Sequence, residues 1–130
     1  MLLFQLKHWL AGFVLQSDYM MKKFLPGWDF FFPLAAHAAV QGVGASIIVG
    51  IYDLGAMWWA GLLTFVLHFA MDRLKAGPKY MGRWKMLGGP QFATATDEQR
   101  LHNKYFWAAF GFNQMWHHCT GFLVIWLLLF

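Results

Sequence analysis

The chain has 130 residues, of which 59% are hydrophobic and only 12% are charged, and its formal net charge is +4. A soluble domain carries about 25% charged residues, so this composition argues against a soluble protein and for an integral membrane protein. The length suits one domain, residues 1–130, and the lone Cys119 excludes an intrachain disulfide.

Four apolar segments follow one another along the chain, from about Leu2 to Gln16, Phe30 to Ile51, Leu54 to Lys75, and Tyr105 to Phe130. A membrane-spanning helix needs about 20 residues, which the last three segments reach and the first does not. The pattern therefore predicts an all-α membrane bundle of about four transmembrane helices. The first of these would extend further, lie tilted, or enter the bilayer only in part.

The breaks between the segments carry turn signals. Pro26-Gly27 ends the first unit, Gly77-Pro78 ends the third, and Tyr52 to Gly55 forms a tight turn between the second and third. So short a turn predicts that those two helices are antiparallel neighbours. Thr96 and Gln99 fit a capping box, which predicts a helix that begins at Asp97.

Basic residues are concentrated on two of the loops. Lys22 and Lys23 follow the first segment, and most of the others flank or lie in the loop between helices three and four. By the positive-inside rule both loops are cytoplasmic, which places both termini and the Asp53 turn on the opposite side. We expect anionic lipid headgroups, rather than nucleic acid, to contact the basic side chains Lys22, Lys23, Lys79, Arg83 and Lys85.

Polar side chains recur at helical spacing on every segment, and they include a histidine on each. Polar groups inside a bilayer are costly, so we expect these faces to meet at the centre of the bundle and to join the helices by hydrogen bonds. The predicted cluster comprises His8, Gln16, His37, Gln41, His68, Asp72, Lys75, Asn113, Gln114 and His117. Neighbours on a helix diverge by about 100°, so His118 points away from this centre.

Two interpretations of this cluster stay open. The first is structural, with Asp72 paired to its neighbours Arg73 or Lys75. The second is a metal site, because neutral imidazole is a common metal ligand and a carboxylate can bind the metal or orient the ring. The candidate ligands are His8, His37, His68, Asp72 and His117, with Asp18 as a second possible carboxylate. No phosphate-binding loop, HExxH or GxSxG motif is present.

Three stretches also resemble a known family. His8 to Met20 (HWLAGFVLQSDYM), His68 to Lys75 (HFAMDRLK) and Asn113 to His117 (NQMWH) look like segments of the bacterial and phage membrane proteins catalogued as domain of unknown function 3307. His37 matches that family's second-helix histidine. The resemblance implies a small bacterial inner-membrane protein and allows a viral origin. The family usually has aspartates where this chain has Gly12 and Asn113, so two acidic partners of His68 and Asp72 are missing.

The leading hypothesis from the sequence is a non-enzymatic, multi-pass membrane protein that associates with itself or with another membrane protein. One alternative is an intramembrane metal-binding protein or a lipid-active enzyme that uses His68 and Asp72. Another is a phage holin or superinfection-exclusion protein, which the small size, several helices and basic loop all allow.

Overall fold

A computed structural model describes residues 1–25, 27–76, 94–101 and 104–130 of the chain. Within these ranges the protein is helical and has no β-strand. The all-α prediction is therefore confirmed. Of the predicted headgroup contacts, Lys79, Arg83 and Lys85 lie outside the described residues.

The N-terminal segment is a helix of limited length. Helix α1 (Leu2–Trp9) continues into a wider π-helical turn (Leu10–Val14), and a short helix α2 (Asp18–Met21) follows after a break. Ser17 caps α2 through its hydroxyl oxygen, which accepts from the backbone N–H of Met20 at 3.4 Å. A 3-10 turn (Lys22–Phe24) then leads to the next helix, with Gly27 in the left-handed region at a φ of 70°.

Three long helices complete the described fold, and their bounds lie close to the predicted segments. Helix α3 is Phe31–Gly50, α4 is Met57–Ala76, and the last helix, α6, is Lys104–Leu129. Between them, α5 (Asp97–Leu101) begins with the predicted capping box. The Gln99 N–H donates to Thr96 Oγ1 at 3.3 Å, and the Thr96 N–H donates to Gln99 Oε1 at 3.0 Å.

Helices α3 and α4 are antiparallel neighbours, as the short turn predicts. Asp53 stabilises that turn, because its Oδ1 accepts from the backbone N–H of Gly55 at 2.8 Å and of Ala56 at 3.2 Å. The two helices approach closely at two glycines. A Cβ atom on Gly42 would lie 2.8 Å from the carbonyl oxygen of Gly61, so only a residue without a side chain fits there.

The bundle interior has an apolar end and a polar end. Near the Asp53 turn, an apolar core comprises Phe4, Ala45, Val49, Ala56, Ala60 and Val124. Met1, Asp53 and Leu129 line one cavity of about 520 Å³ at this end, so both chain termini lie beside the turn. At the other end a group of buried polar side chains lies beside buried apolar ones such as Leu34 and Met71, and this polar group forms the candidate site.

One helix of the described residues, Phe31–Gly50, is long and apolar enough to cross a membrane, with a mean hydropathy of 1.5. Core helices of soluble proteins meet the same standard of length and composition. Length and composition alone therefore do not establish four membrane spans, and the positions of the buried polar and exposed apolar side chains bear on this prediction instead.

Candidate functional site

Asp72 is the centre of the polar end of the bundle. Its carboxylate comes from the last turns of α4, and the residue is only 5% exposed. Lys23 Nζ donates to Asp72 Oδ2 at 2.9 Å, and Asn113 Nδ2 donates to Asp72 Oδ1 at 3.0 Å. These two bonds tie α4 to the 3-10 turn and to α6.

Three histidines from three helices surround the same carboxylate. His37 Nε2 lies 3.3 Å from Asp72 Oδ2, and His68 Nε2 lies 3.7 Å from that oxygen. His117 Nε2 lies 3.3 Å from Oδ1, the other carboxylate oxygen. The imidazoles also contact one another: His37 Nε2 and His68 Nε2 are 3.2 Å apart, and the rings of His68 and His117 stack with centroids 3.9 Å apart.

Helix α1 contributes a fourth imidazole to this group. The ring centroid of His8 lies 4.6 Å from that of His117, and its Nε2 lies 3.0 Å from Gln114 Oε1. Every long helix of the described fold, and α1 as well, therefore places one histidine at the cluster. Spacing on one face of each helix brings about this convergence, because helical positions three and four apart share a face.

Amide groups and a second lysine extend the network. Lys75 Nζ donates to Asn113 Oδ1 at 3.1 Å, and Gln114 Nε2 donates to the same oxygen at 3.3 Å. Lys75 also lies over the ring of Phe110, at 5.2 Å from its centroid. The polar network thus reaches outward from Asp72 along α6.

The cluster lines a cavity of about 400 Å³. Its wall includes the imidazoles, Asp72, both lysines and the amides, together with apolar side chains such as Phe13, Phe24 and Phe110. Small-molecule sites span about 300–1,000 Å³, so this cavity has the volume of a binding site.

Two predicted members of the cluster occupy different surroundings. Gln16 is half-buried at the cavity wall, where its Nε2 contacts Met21 Sδ. Gln41 is fully buried, but its side-chain amide has no hydrogen-bond partner among the described residues. A Cβ atom on Gly12 would lie 3.4 Å from Gln41 Nε2, so the aspartate that the resemblance leads one to expect at position 12 would begin beside this amide.

The partner of Asp72 is a correction to the sequence analysis. The counter-charge is Lys23 rather than Arg73 or Lys75, and Arg73 instead lies over the ring of Phe30, 3.5 Å from its centroid. Lys23 is only 6% exposed, so its prediction as a lipid-headgroup contact is wrong. A buried carboxylate generally needs a cation close by, and this need was the one signal that pointed to a lysine so distant in sequence.

The remaining sequence predictions concern residues at the edge of the site. Lys22 is exposed, which agrees with a surface role, and His118 is exposed while His117 is buried, as the helical spacing predicts. Asp18 is exposed on α2 and is not among the described residues that line the cavity, so it offers no second carboxylate there.

Four histidines and one aspartate provide two groups of metal-competent side chains. His37, His68 and Asp72 form one group, and His8, His68 and His117 form the other. Within each group, one ligand atom from each residue lies within 4.8 Å of the others. His68 belongs to both groups and is therefore the central imidazole of the site.

No family model matches the chain, and no curated protein and no solved structure matches it. The resemblance to domain of unknown function 3307 accordingly stays a prediction from the residues. The geometry of the site is therefore the basis for a functional proposal.

Proposed function

We propose that this chain is a multi-pass membrane protein whose helices line a ligand-binding cavity built around Asp72. The observation that carries this proposal is the distribution of polarity. Lys and Asp side chains are almost never fully buried unless they are paired, and here Lys23 and Asp72 are buried as a pair beside His37, His68 and Asn113.

The outer surface is correspondingly apolar. Large hydrophobic side chains are exposed on all the long helices, among them Ile47 at 60%, Leu62 at 65%, Val66 at 51% and Phe122 at 61%. In water a monomer rarely exposes contiguous apolar surface on this scale. In lipid the same surface is the favourable one, because only helices with apolar exteriors suit the hydrocarbon core.

Tryptophans mark the two ends of the proposed span. Trp28 is 81% exposed beside the start of α3, and Trp58 is 75% exposed beside the start of α4. Because α3 and α4 are antiparallel, these indoles lie at opposite ends of the bundle, where the two membrane interfaces would be. Lys22 at the Trp28 end supports a cytoplasmic position for that end, in the inner membrane of a bacterium.

The cavity favours ligand binding over a purely structural role for the cluster. A network that only joins helices does not require a pocket of about 400 Å³ beside it. The cavity instead places titratable and hydrogen-bonding groups around a volume that a ligand can fill. Association with another membrane protein remains compatible with this role, through the apolar exterior.

Single-cysteine labelling tests the proposed membrane topology. In a Cys119→Ser chain, Lys22→Cys and Tyr52→Cys place thiols at opposite ends of the bundle, on exposed positions. A membrane-impermeant maleimide is applied to sealed vesicles of each orientation. We expect Lys22→Cys to react only from the cytoplasmic face and Tyr52→Cys only from the other. Equal labelling of both from one face, or recovery of the protein in the soluble fraction, would contradict the proposal.

A further inference from the structure

The side chains of His37, His68 and Asp72 converge with metal-binding geometry, and we propose that they bind a divalent transition-metal ion of the zinc class. The two Nε2 atoms lie 3.2 Å apart, and they lie 3.3 Å and 3.7 Å from Asp72 Oδ2. In tetrahedral zinc sites with bonds of about 2.0–2.1 Å, neighbouring ligand atoms are about 3.3 Å apart. The three atoms thus already form one face of a coordination tetrahedron.

The chemistry of this triangle also favours a metal ion over a proton. Each of its three atoms carries a lone pair when both imidazoles are neutral with their protons on Nδ1 and Asp72 is ionised. A proton on one nitrogen donates one well-aligned hydrogen bond to a second atom of the triangle and leaves the lone pair of the third atom without a good partner. A metal ion bonds all three lone pairs at once, and it does so at the separations that the structure holds.

The donor set selects the class of metal. Two imidazoles and one carboxylate suit zinc and the related first-row ions, whereas magnesium and calcium require several oxygen ligands. Only one carboxylate lies at the cluster among the described residues, so magnesium and calcium would have too few oxygen ligands there. His117 Nε2 lies 3.3 Å from the other carboxylate oxygen of Asp72, and the triangle borders the cavity, so a further protein ligand or a ligand from the cavity can complete the coordination.

Lys23 occupies the position of a competitor for this metal. Its ammonium is the cation that now neutralises Asp72, at 2.9 Å from Oδ2, the same oxygen that belongs to the triangle. A metal ion and a buried ammonium would repel each other across that oxygen. Metal binding must therefore displace Lys23 or weaken its bond, which links the site to the 3-10 turn that carries the lysine.

Because of this competition, one substitution should strengthen Zn²⁺ binding while others weaken it. The chain is purified in detergent with a tag that contains no histidine, stripped with chelator, and titrated with Zn²⁺ by calorimetry. Co²⁺ is used as a visible probe of tetrahedral coordination. We expect one equivalent of Zn²⁺ for the natural sequence, at least about tenfold weaker binding in His68→Ala and Asp72→Asn, and tighter binding in Lys23→Met.

Matched controls separate the site from general effects. His118→Ala removes an exposed histidine and Lys22→Met removes an exposed lysine, and both should bind Zn²⁺ as the natural sequence does. The inference is overturned if the natural chain binds no stoichiometric metal. It is equally overturned if His68→Ala binds like the natural chain, or if Lys23→Met with the same helix content by circular dichroism binds more weakly than Lys22→Met.

The inference rests on the proposed function only in treating the cavity as a ligand site. If the protein stays folded and inserted in vesicles but binds no metal, the metal-site inference is refuted and the membrane proposal stands. If the protein binds metal but is recovered in the soluble fraction, the membrane proposal is refuted and the metal-site inference stands. The two outcomes are therefore distinguishable from the same preparation.

Discussion

Replacing Lys23 with methionine removes the only lysine that contacts Asp72 Oδ2 in the hydrogen bonds described, and it tests whether this pair stabilises the bundle. Both groups are buried, with side chains 7% and 6% exposed, and their atoms are 2.9 Å apart. Removing one member of a buried ion pair leaves the other charge uncompensated, which costs about 3–5 kcal/mol. We therefore expect Lys23→Met in metal-free buffer to lower the free energy of unfolding by about that amount.

The double variant decides whether this loss belongs to the pair. Asp72→Asn combined with Lys23→Met removes both charges, and the amide oxygen introduced at position 72 can still accept from Asn113. Replacing both members of a buried pair by neutral groups is often nearly neutral, so the double variant should be more stable than either single variant. Free energies of unfolding are measured by titration with a denaturing detergent in mixed micelles.

Lys22→Met is the matched control, since it removes an exposed lysine one residue away. Surface substitutions of this kind usually change stability by less than about 0.5 kcal/mol. The reasoning is refuted if the losses of the two single variants simply add in the double variant, or if Lys22→Met is as damaging as Lys23→Met. Additive losses would mean that the two charges do not stabilise each other.

Three further substitutions test the fold and its surroundings. Val66→Lys puts a charge on the exposed face at mid-α4 and should cost about 2.5–3.5 kcal/mol in a membrane insertion assay, whereas Tyr52→Lys at the turn should cost little. Gly61→Ala should destabilise the bundle by about 1–3 kcal/mol, because its Cβ meets a side chain of α3, while Gly111→Ala, which points into open space, should be neutral or slightly stabilising. Thr96→Ala should speed hydrogen exchange at the start of α5 by loss of a cap worth about 1 kcal/mol, and unchanged exchange would contradict the capping box.

Much of the fold could be predicted because its signals are local. Apolar runs predict the three long helices to within a few residues, and the Asp53 turn predicts the antiparallel pair. The end of the first segment at about Gln16 is close to the break that follows Val14, but the change from α-helix to a π-helical turn at Leu10 was not predicted.

The candidate site was predictable in its histidines and not in its lysine. Spacing on one helical face places His37, His68 and His117 at a common axis, and the structure brings their side chains together. The pairing of Asp72 with Lys23 joins residues 49 positions apart. Nothing in local spacing distinguishes Lys23 from Lys22, and only the three-dimensional fold shows which of them turns inward.

The most direct test of the proposed membrane embedding uses the one natural cysteine. Cys119 is exposed on α6, so in water it would react readily, but on a lipid-facing helix a charged maleimide cannot reach it. The account predicts negligible labelling of Cys119 in lipid nanodiscs, full labelling after denaturation, and rapid labelling of Tyr52→Cys in the same particles. Labelling of Cys119 in nanodiscs as fast as that of Tyr52→Cys would contradict it.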